Sequence, residues 1–182
     1  MPRDPSTQGA QGVMDSFTIP ANLDLHARIR WAIRAGHFSV SISGLSSERG
    51  LICSKISTAL GGLPMIRVPD LNMVAKHIAA GYSPGQAQAR SCISQVYTSP
   101  RWCVMDGGPL SVAVDHPEEL NQLWWLYTAM GLTIFLDDHS AEADQHRVLA
   151  ARWPKCVTVD ASQPPEAVME FAMAAIARAA GV

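Results

Sequence analysis

An α/β fold with a central, mostly parallel five-stranded sheet is what this sequence predicts, and three observations predict it. Five short apolar runs, "FSVSISG", "PMIRVP", "RWCVMDGG", "LTIFLDD" and "CVTVDA", are bounded by turn formers, as strands are. Longer segments with helical periodicity separate them, and strands alternating with helices pair in parallel under cover on both faces. The chain has 182 residues, 48% of them hydrophobic and 16% charged, which is enough for one domain with a core of its own.

In order along the chain, residues 1–20 are polar, with Pro2, Pro5 and several Gly, Gln and Ser, and read as a disordered tail. Residues 21–182 read as a single α/β domain that begins with an added helix. That helix has Asn22 as a candidate N-cap, Leu25, Ile29, Ala32 and Ile33 on its apolar side and Gly36 at its end. Arg28, Arg30 and Arg34 would then face solvent or another subunit. Next comes "SVSISGLSSERGLICSKIS", with the outline of a strand, a tight loop and a helix. "PEELNQLWWLYTAMG" places Leu120, Leu123, Trp124, Trp125 and Tyr127 on a broad helical apolar face, so core or subunit packing is favoured over a base-stacking role. The last helix, "PPEAVMEFAMAAIARAA", carries Pro164 and Pro165 near its first turn.

Composition excludes several functions. A net charge of −2, with 14 basic residues scattered along the chain, gives no field for gripping nucleic acid. No apolar run approaches the ~18 residues a membrane helix needs. Cys53, Cys92, Cys103 and Cys156 lack metal-ligand spacing and follow no secretory leader, so they read as reduced core thiols of a cytoplasmic protein. His37, His77, His116, His139 and His146 are scattered, and even His139 and His146 share a face without a third partner, so no metal site is expected.

In parallel α/β folds ligands bind outside the carboxyl ends of the strands. The loops there are "GLSSERG", "RVPD", "MDGG" and "DDHSAEAD". Arg49 is permanently charged and can fork onto phosphate oxygens, Ser46 and Ser47 can add hydroxyl contacts, and Glu48 can instead pair with Arg49. Asp70, Asp106, Asp137 and Asp138 end strands where a Mg²⁺ ion bridged to phosphates would sit, or they cap the helices and turns that follow, as Asp138 before "HSAEADQHR" would. Arg67 and Arg90 are candidate cations for an acceptor ligand, or members of surface ion pairs.

Taken together, "SISGLSSERG", "IRVPD", "YSPGQAQARSCISQ", "WCVMDGGPLSVAV", "GLTIFLDDHSAEADQHRV" and "TVDASQPPEAVMEFAMAAI" resemble, in order and spacing, the thymidylate kinase family of P-loop nucleoside monophosphate kinases. The resemblance covers roughly residues 38 to 180. It implies a three-layer P-loop kinase-like fold, ATP with Mg²⁺ as cofactors if the chain is active and none otherwise, and a nucleotide as a possible ligand. Gly44, Ser46, Ser47 and Gly50 would then hold the donor, Asp106 and Arg49 would act in catalysis, and Arg67, Asp70 and Arg90 would bind the acceptor. The chain also departs from the family. Aligning Gly44 with the loop's first glycine puts Arg49 at the second glycine, Gly50 at the lysine and Leu51 at the hydroxyl residue. Gly107 stands where the family has an arginine, and no arginine-rich lid precedes Arg147. Lys55 lies more than a helical turn past the loop.

Phosphoryl transfer depends on positioning and charge neutralisation, so these losses remove most of what the protein would contribute. Two readings follow: a nucleotide-binding or phosphoryl-transfer protein with altered or lost kinase activity, or a noncatalytic subunit that forms a homodimer or pairs with a related chain. The first needs at least two cations converging near Gly44. The second predicts a loop that is flattened or filled by side chains.

Overall fold

Alternation along the strands sets the layers. In β4 (Leu132–Asp137) the side chains of Leu132, Ile134 and Leu136 join one buried cluster while Phe135 joins another. β1 (Val40–Ser43) behaves alike, sending Val40 and Ile42 to the first cluster. Period-two side chains buried on both sides are what a covered parallel strand requires. The computed structural model describes residues 23–36, 38–45, 47–100 and 102–182. Asn22, His37, Ser46 and the 1–20 tail lie outside the described residues.

The remaining strands are β2 (Met65–Val68), β3 (Val104–Gly107) and β5 (Cys156–Asp160), and the five form one sheet in the order β2-β3-β1-β4-β5. Every pairing is parallel. On one face lie α1 (Leu25–Gly36), α2 (Arg49–Ala59) and α8 (Pro165–Ala179), which bury Ile29, Ile33, Ile52, Ile56, Val168 and Ile176. On the other lie α4 (Pro84–Thr98), α5 (Pro109–Asp115), α6 (Leu120–Trp124) and α7 (Asp144–Ala150), with Cys92, Leu110, Val112 and Leu123 inside. Each fully buried Leu or Ile contributes roughly 1.5–3 kcal/mol relative to exposure, so the two clusters hold the layers together. α3 (Leu71–Ala79) packs beside α4.

Local chemistry explains the helix starts. Asp24 Oδ1 accepts from Ala27 N–H at 2.8 Å at the head of α1. α4 begins with a reciprocal Ser83–Gln86 capping box and Pro84 in its first turn. Pro165 likewise opens α8.

Four sequence expectations change. The tryptophan segment is not one helix: 3₁₀ turns at Pro117–Glu119 and Trp125–Thr128 flank α6, so its apolar residues do not share one stripe. Trp124 packs edge-on against Trp153, with ring centroids 5.3 Å apart, whereas Trp125 is 66% exposed. Asp138 caps no helix; it closes a turn by accepting from Ser140 N–H and Oγ–H. His139 and His146 share no face, because His139 sits in that turn at φ 58° while His146 is buried on α7. The α1 arginines do not simply face solvent either: Arg28 and Arg30 are half-buried and Arg34 lies over the Trp102 ring at 5.5 Å.

Burial pushes the thiols of Cys53 and Cys156 up to about 12 and that of Cys103 to about 11, and raises Cys92 as well. All four are free cysteines and protonated at neutral pH. Among the described residues, no helix is long and apolar enough to cross a membrane.

Candidate functional site

The strand order places β1 between β3 and β4, with chain connections leaving in opposite directions around it. α2 follows β1 onto one face, while α5 and α7 follow β3 and β4 onto the other. Sheets of this kind hold ligands beyond the carboxyl end of the strand where the connections diverge, which here is β1.

Gly44 ends that strand at φ 124° and is buried; a Cβ there would stand 2.3 Å from the Leu136 carbonyl oxygen. Only glycine satisfies both the backbone angle and the close approach. The chain then passes exposed Leu45 and Ser47 to Glu48, the N-cap of α2. Arg49, the first residue of that helix, turns its side chain back across the loop. Its Nη1 donates to Gly44 O at 2.7 Å, and its Nε donates to Asp106 Oδ1 at 2.7 Å. Gly50 lies within α2, is exposed, and has no left-handed φ; a Cβ there would meet only Asp106 Oδ2, at 3.8 Å. It is a helical residue beside the acid rather than a second turn glycine of the loop.

Asp106 stands in β3 opposite Ile42 of β1 and Arg67 of β2. Its side chain is only 7% exposed, and Arg67 Nε approaches Oδ2 at 3.7 Å from the solvent side, with 75% of the Arg67 side chain exposed. Asp106 also raises the Cys53 thiol, after burial, while Arg49 opposes it. Beyond the acid, Gly107 at φ 93° would set a Cβ 2.1 Å from Val68 O, and Gly108 at φ 141° would set one 2.3 Å from Ser41 Oγ. Ser41 Oγ–H donates to Gly107 O at 2.8 Å. A side chain as large as arginine has no place at position 107.

The turn after β2 is held from below. Gln95, 7% exposed on α4, donates from Nε2 to Arg67 O at 2.7 Å and accepts from Asp70 N–H at 2.8 Å. Ser91 Oγ–H donates to Asp70 O at 3.3 Å. Asp70 Oδ1 caps α3 by accepting from Asn72 and Met73 N–H. Arg90 is exposed and stacks on the Tyr82 ring at 4.1 Å. The structure thus brings together Gly44, Arg49, Asp106 and Arg67; the Asp70 carboxylate serves the α3 cap and Arg90 serves Tyr82.

A second polar cluster ends β4 and β5. Asp137, 4% exposed, accepts from Arg147 Nη1 at 2.7 Å and from His139 N–H at 2.9 Å. Arg147 Nη2 donates to Ser140 O at 2.8 Å and to the Asp144 carboxylate. Bonds to Asp144 and Asp137 raise the guanidinium further above its ordinary value. Hydrogen bonds from the Ser140 hydroxyl and N–H lower Asp138. His139 Nε2 lies 3.1 Å from Asp160 Oδ1, and Asp160 is held down to about 2 by bonds from Ser162 and Gln163.

Sequence reasoning missed Gln95, whose signal is a lone amide on the buried side of α4 between Cys92 and Val96. It also missed Ser43 Oγ and His146 Nδ1, buried atoms without a hydrogen-bond partner among the described residues, and His146 lies flat on Phe135 with centroids 6.0 Å apart. Among the described residues, no three His, Cys, Asp or Glu side chains are grouped to hold a metal ion. What the loop offers chemically is a cation pair, Arg49 and Arg67, facing one carboxylate. No family model matches the chain, and no curated protein matches it.

Proposed function

We propose that this chain is a divergent thymidylate kinase-like protein whose kinase activity is lost or strongly altered. The observation that carries the proposal is the direction of Arg49. In a working phosphate loop the cation and the backbone amides point at the donor phosphates; here the guanidinium is bonded to Gly44 O and Asp106 of its own site. The sheet order and the closely packed Gly44 support descent from a nucleotide-binding loop. The donor set does not fit a Mg²⁺–ATP complex: both Asp106 oxygens face guanidinium groups, and exposed Leu51 stands where a metal-binding hydroxyl is needed. No phosphoryl-transfer step is assigned to these residues.

A second reading, a noncatalytic subunit that pairs with itself or a related chain, draws on an apolar groove of about 390 Å³ between α5, α6 and α7. Val114, Leu120, Val148 and Leu149 line it. Light scattering of the purified chain across a concentration series tests that reading, and a monomer throughout counts against self-pairing.

Isothermal calorimetry with ATP and with thymidine monophosphate, each with Mg²⁺, tests the first. The expected result is no micromolar binding of ATP by the wild-type chain. Micromolar binding that disappears in Arg49→Ala, together with phosphate transfer to the monophosphate, would overturn it.

A further inference from the structure

We propose that the cavity at the amino ends of β4 and β5 binds a small amphipathic carboxylate, an aliphatic chain whose acid group pairs with Lys155. The strands are parallel and Gly44 follows the carboxyl end of β1, so this site lies at the opposite end of the sheet from that loop. It goes beyond the kinase-like reading and is tested apart from it.

The cavity has a volume of about 530 Å³, within the range of sites for small organic molecules. Phe38, Met130, Leu132 and Val157 give it apolar walls. Met130 and Leu132 are each 3% exposed, and Phe38 and Val157 pack against the buried cluster that contains Leu132. The walls are therefore part of the core and exist before a ligand arrives. Gly131 fixes the Phe38 ring in turn, since a Cβ there would stand 2.2 Å from it.

One charge stands at these walls. Lys155 takes φ 55° immediately before β5, a left-handed conformation that is unfavourable for a residue with a Cβ. Thr133 N–H pins its backbone by donating to Lys155 O at 2.9 Å. From that turn the ammonium reaches back to Met130 O at 3.4 Å, its one polar side-chain contact among the described residues. An ammonium has three donors, so Lys155 can keep Met130 O and still offer N–H groups to a ligand. No acidic side chain lines the cavity among the described residues, and the Cys156 thiol, which burial pushes up to about 12, adds no charge. A single cation beside apolar walls matches one negative charge on an apolar body, and the charge-assisted bond to a carboxylate is stronger than the present one to a neutral carbonyl. A multiply charged anion would bring charge that nothing here answers.

The test is calorimetry of the wild-type chain with octanoate and with octylammonium, equal in chain length and opposite in charge. Submillimolar binding of octanoate is expected, with octylammonium about tenfold weaker or worse. Hexanoate should bind about fifteenfold more weakly than octanoate, the loss for two buried methylenes. In Lys155→Met, which keeps the length and removes the charge, octanoate is expected to weaken by about tenfold while octanol binds as it does to the wild-type chain. A purely structural role for Lys155 would not give that split. Ala179→Trp, at an exposed position lining the cavity, should abolish binding of both. The proposal is overturned by no octanoate binding at millimolar concentration, by equal binding of octanoate and octylammonium, by octanoate binding unchanged in Lys155→Met, or by binding that survives Ala179→Trp. The first two outcomes use the wild-type chain, so the decision does not depend on a variant folding.

Discussion

The two strands that flank β1 solve one problem, a buried aspartate at a strand terminus, in different ways. At β3, Asp106 meets Arg49 from the start of α2, and the surrounding backbone is fixed by glycines whose hydrogens touch neighbouring carbonyls or hydroxyls. At β4, Asp137 meets Arg147 from α7, and the turn is stitched by side chains: Asp138 to Ser140, Asp160 to Ser162, Arg147 to three acceptors. In the first region packing holds the shape and charge sits on top of it. In the second, charge and hydrogen bonding hold the shape. Removing the ion pair should leave the backbone of the first region in place and cost the second its turn.

The largest expected effect breaks the packed region. Gly44→Ala forces a Cβ to 2.3 Å from Leu136 O at φ 124°, and should destabilise the fold by about 3 kcal/mol or more in urea denaturation. Gly62→Ala is the control, since its φ of 76° has nothing within 4 Å; about 1 kcal/mol is expected there. A Gly44→Ala cost no larger than the control would mean that packing does not set the loop. Gln95→Leu comes next. Losing its bonds leaves Arg67 O and Asp70 N–H without these partners at a part-buried position, for about 1 kcal/mol by the same assay. Unchanged stability would show that the β2 turn stands without its brace.

The smallest effect sharpens the stitched region. The Asp160 carboxyl is lowered from 3.8 to about 2, so its contribution is present above the unfolded value and is lost as pH falls from about 4 towards 2. Urea midpoints measured across that window should fall with acid in the wild-type chain and fall less in Asp160→Asn. Salt should weaken the difference, because the group is exposed. Parallel slopes for the two chains would remove Asp160 from the stitching.

The strands were legible because their cause is local: "LTIFLDD" is apolar, short and bounded, and no distant residue is needed to read it. Asp106 at the end of a strand and Arg49 in the loop segment after another were legible from the alternation of elements. The direction of the Arg49 side chain was not, since it depends on where β3 delivers an acid from the far side of two crossovers. Gln95 was hidden for the same reason, its partners Arg67 and Asp70 lying on another element. The helix through Trp124 and Trp125 misled because apolar periodicity cannot register a 3₁₀ turn at Trp125, which rotates that ring out of the core.

The strand order has a kinetic consequence. β1 does not pair with β2, the next strand in sequence; Val40 waits for Val104 on one side and Leu132 on the other. Its loop therefore has no floor until β3 and β4 have both left the ribosome, because the carbonyl that Gly44 packs against belongs to Leu136 and the acid that Arg49 bonds belongs to β3. Non-local parallel pairing of this kind is slow to form. The loop thus takes its shape late in synthesis, and a growing chain halted before Leu132 would carry Arg49 and Asp106 but not the Leu136 backbone against which Gly44 packs.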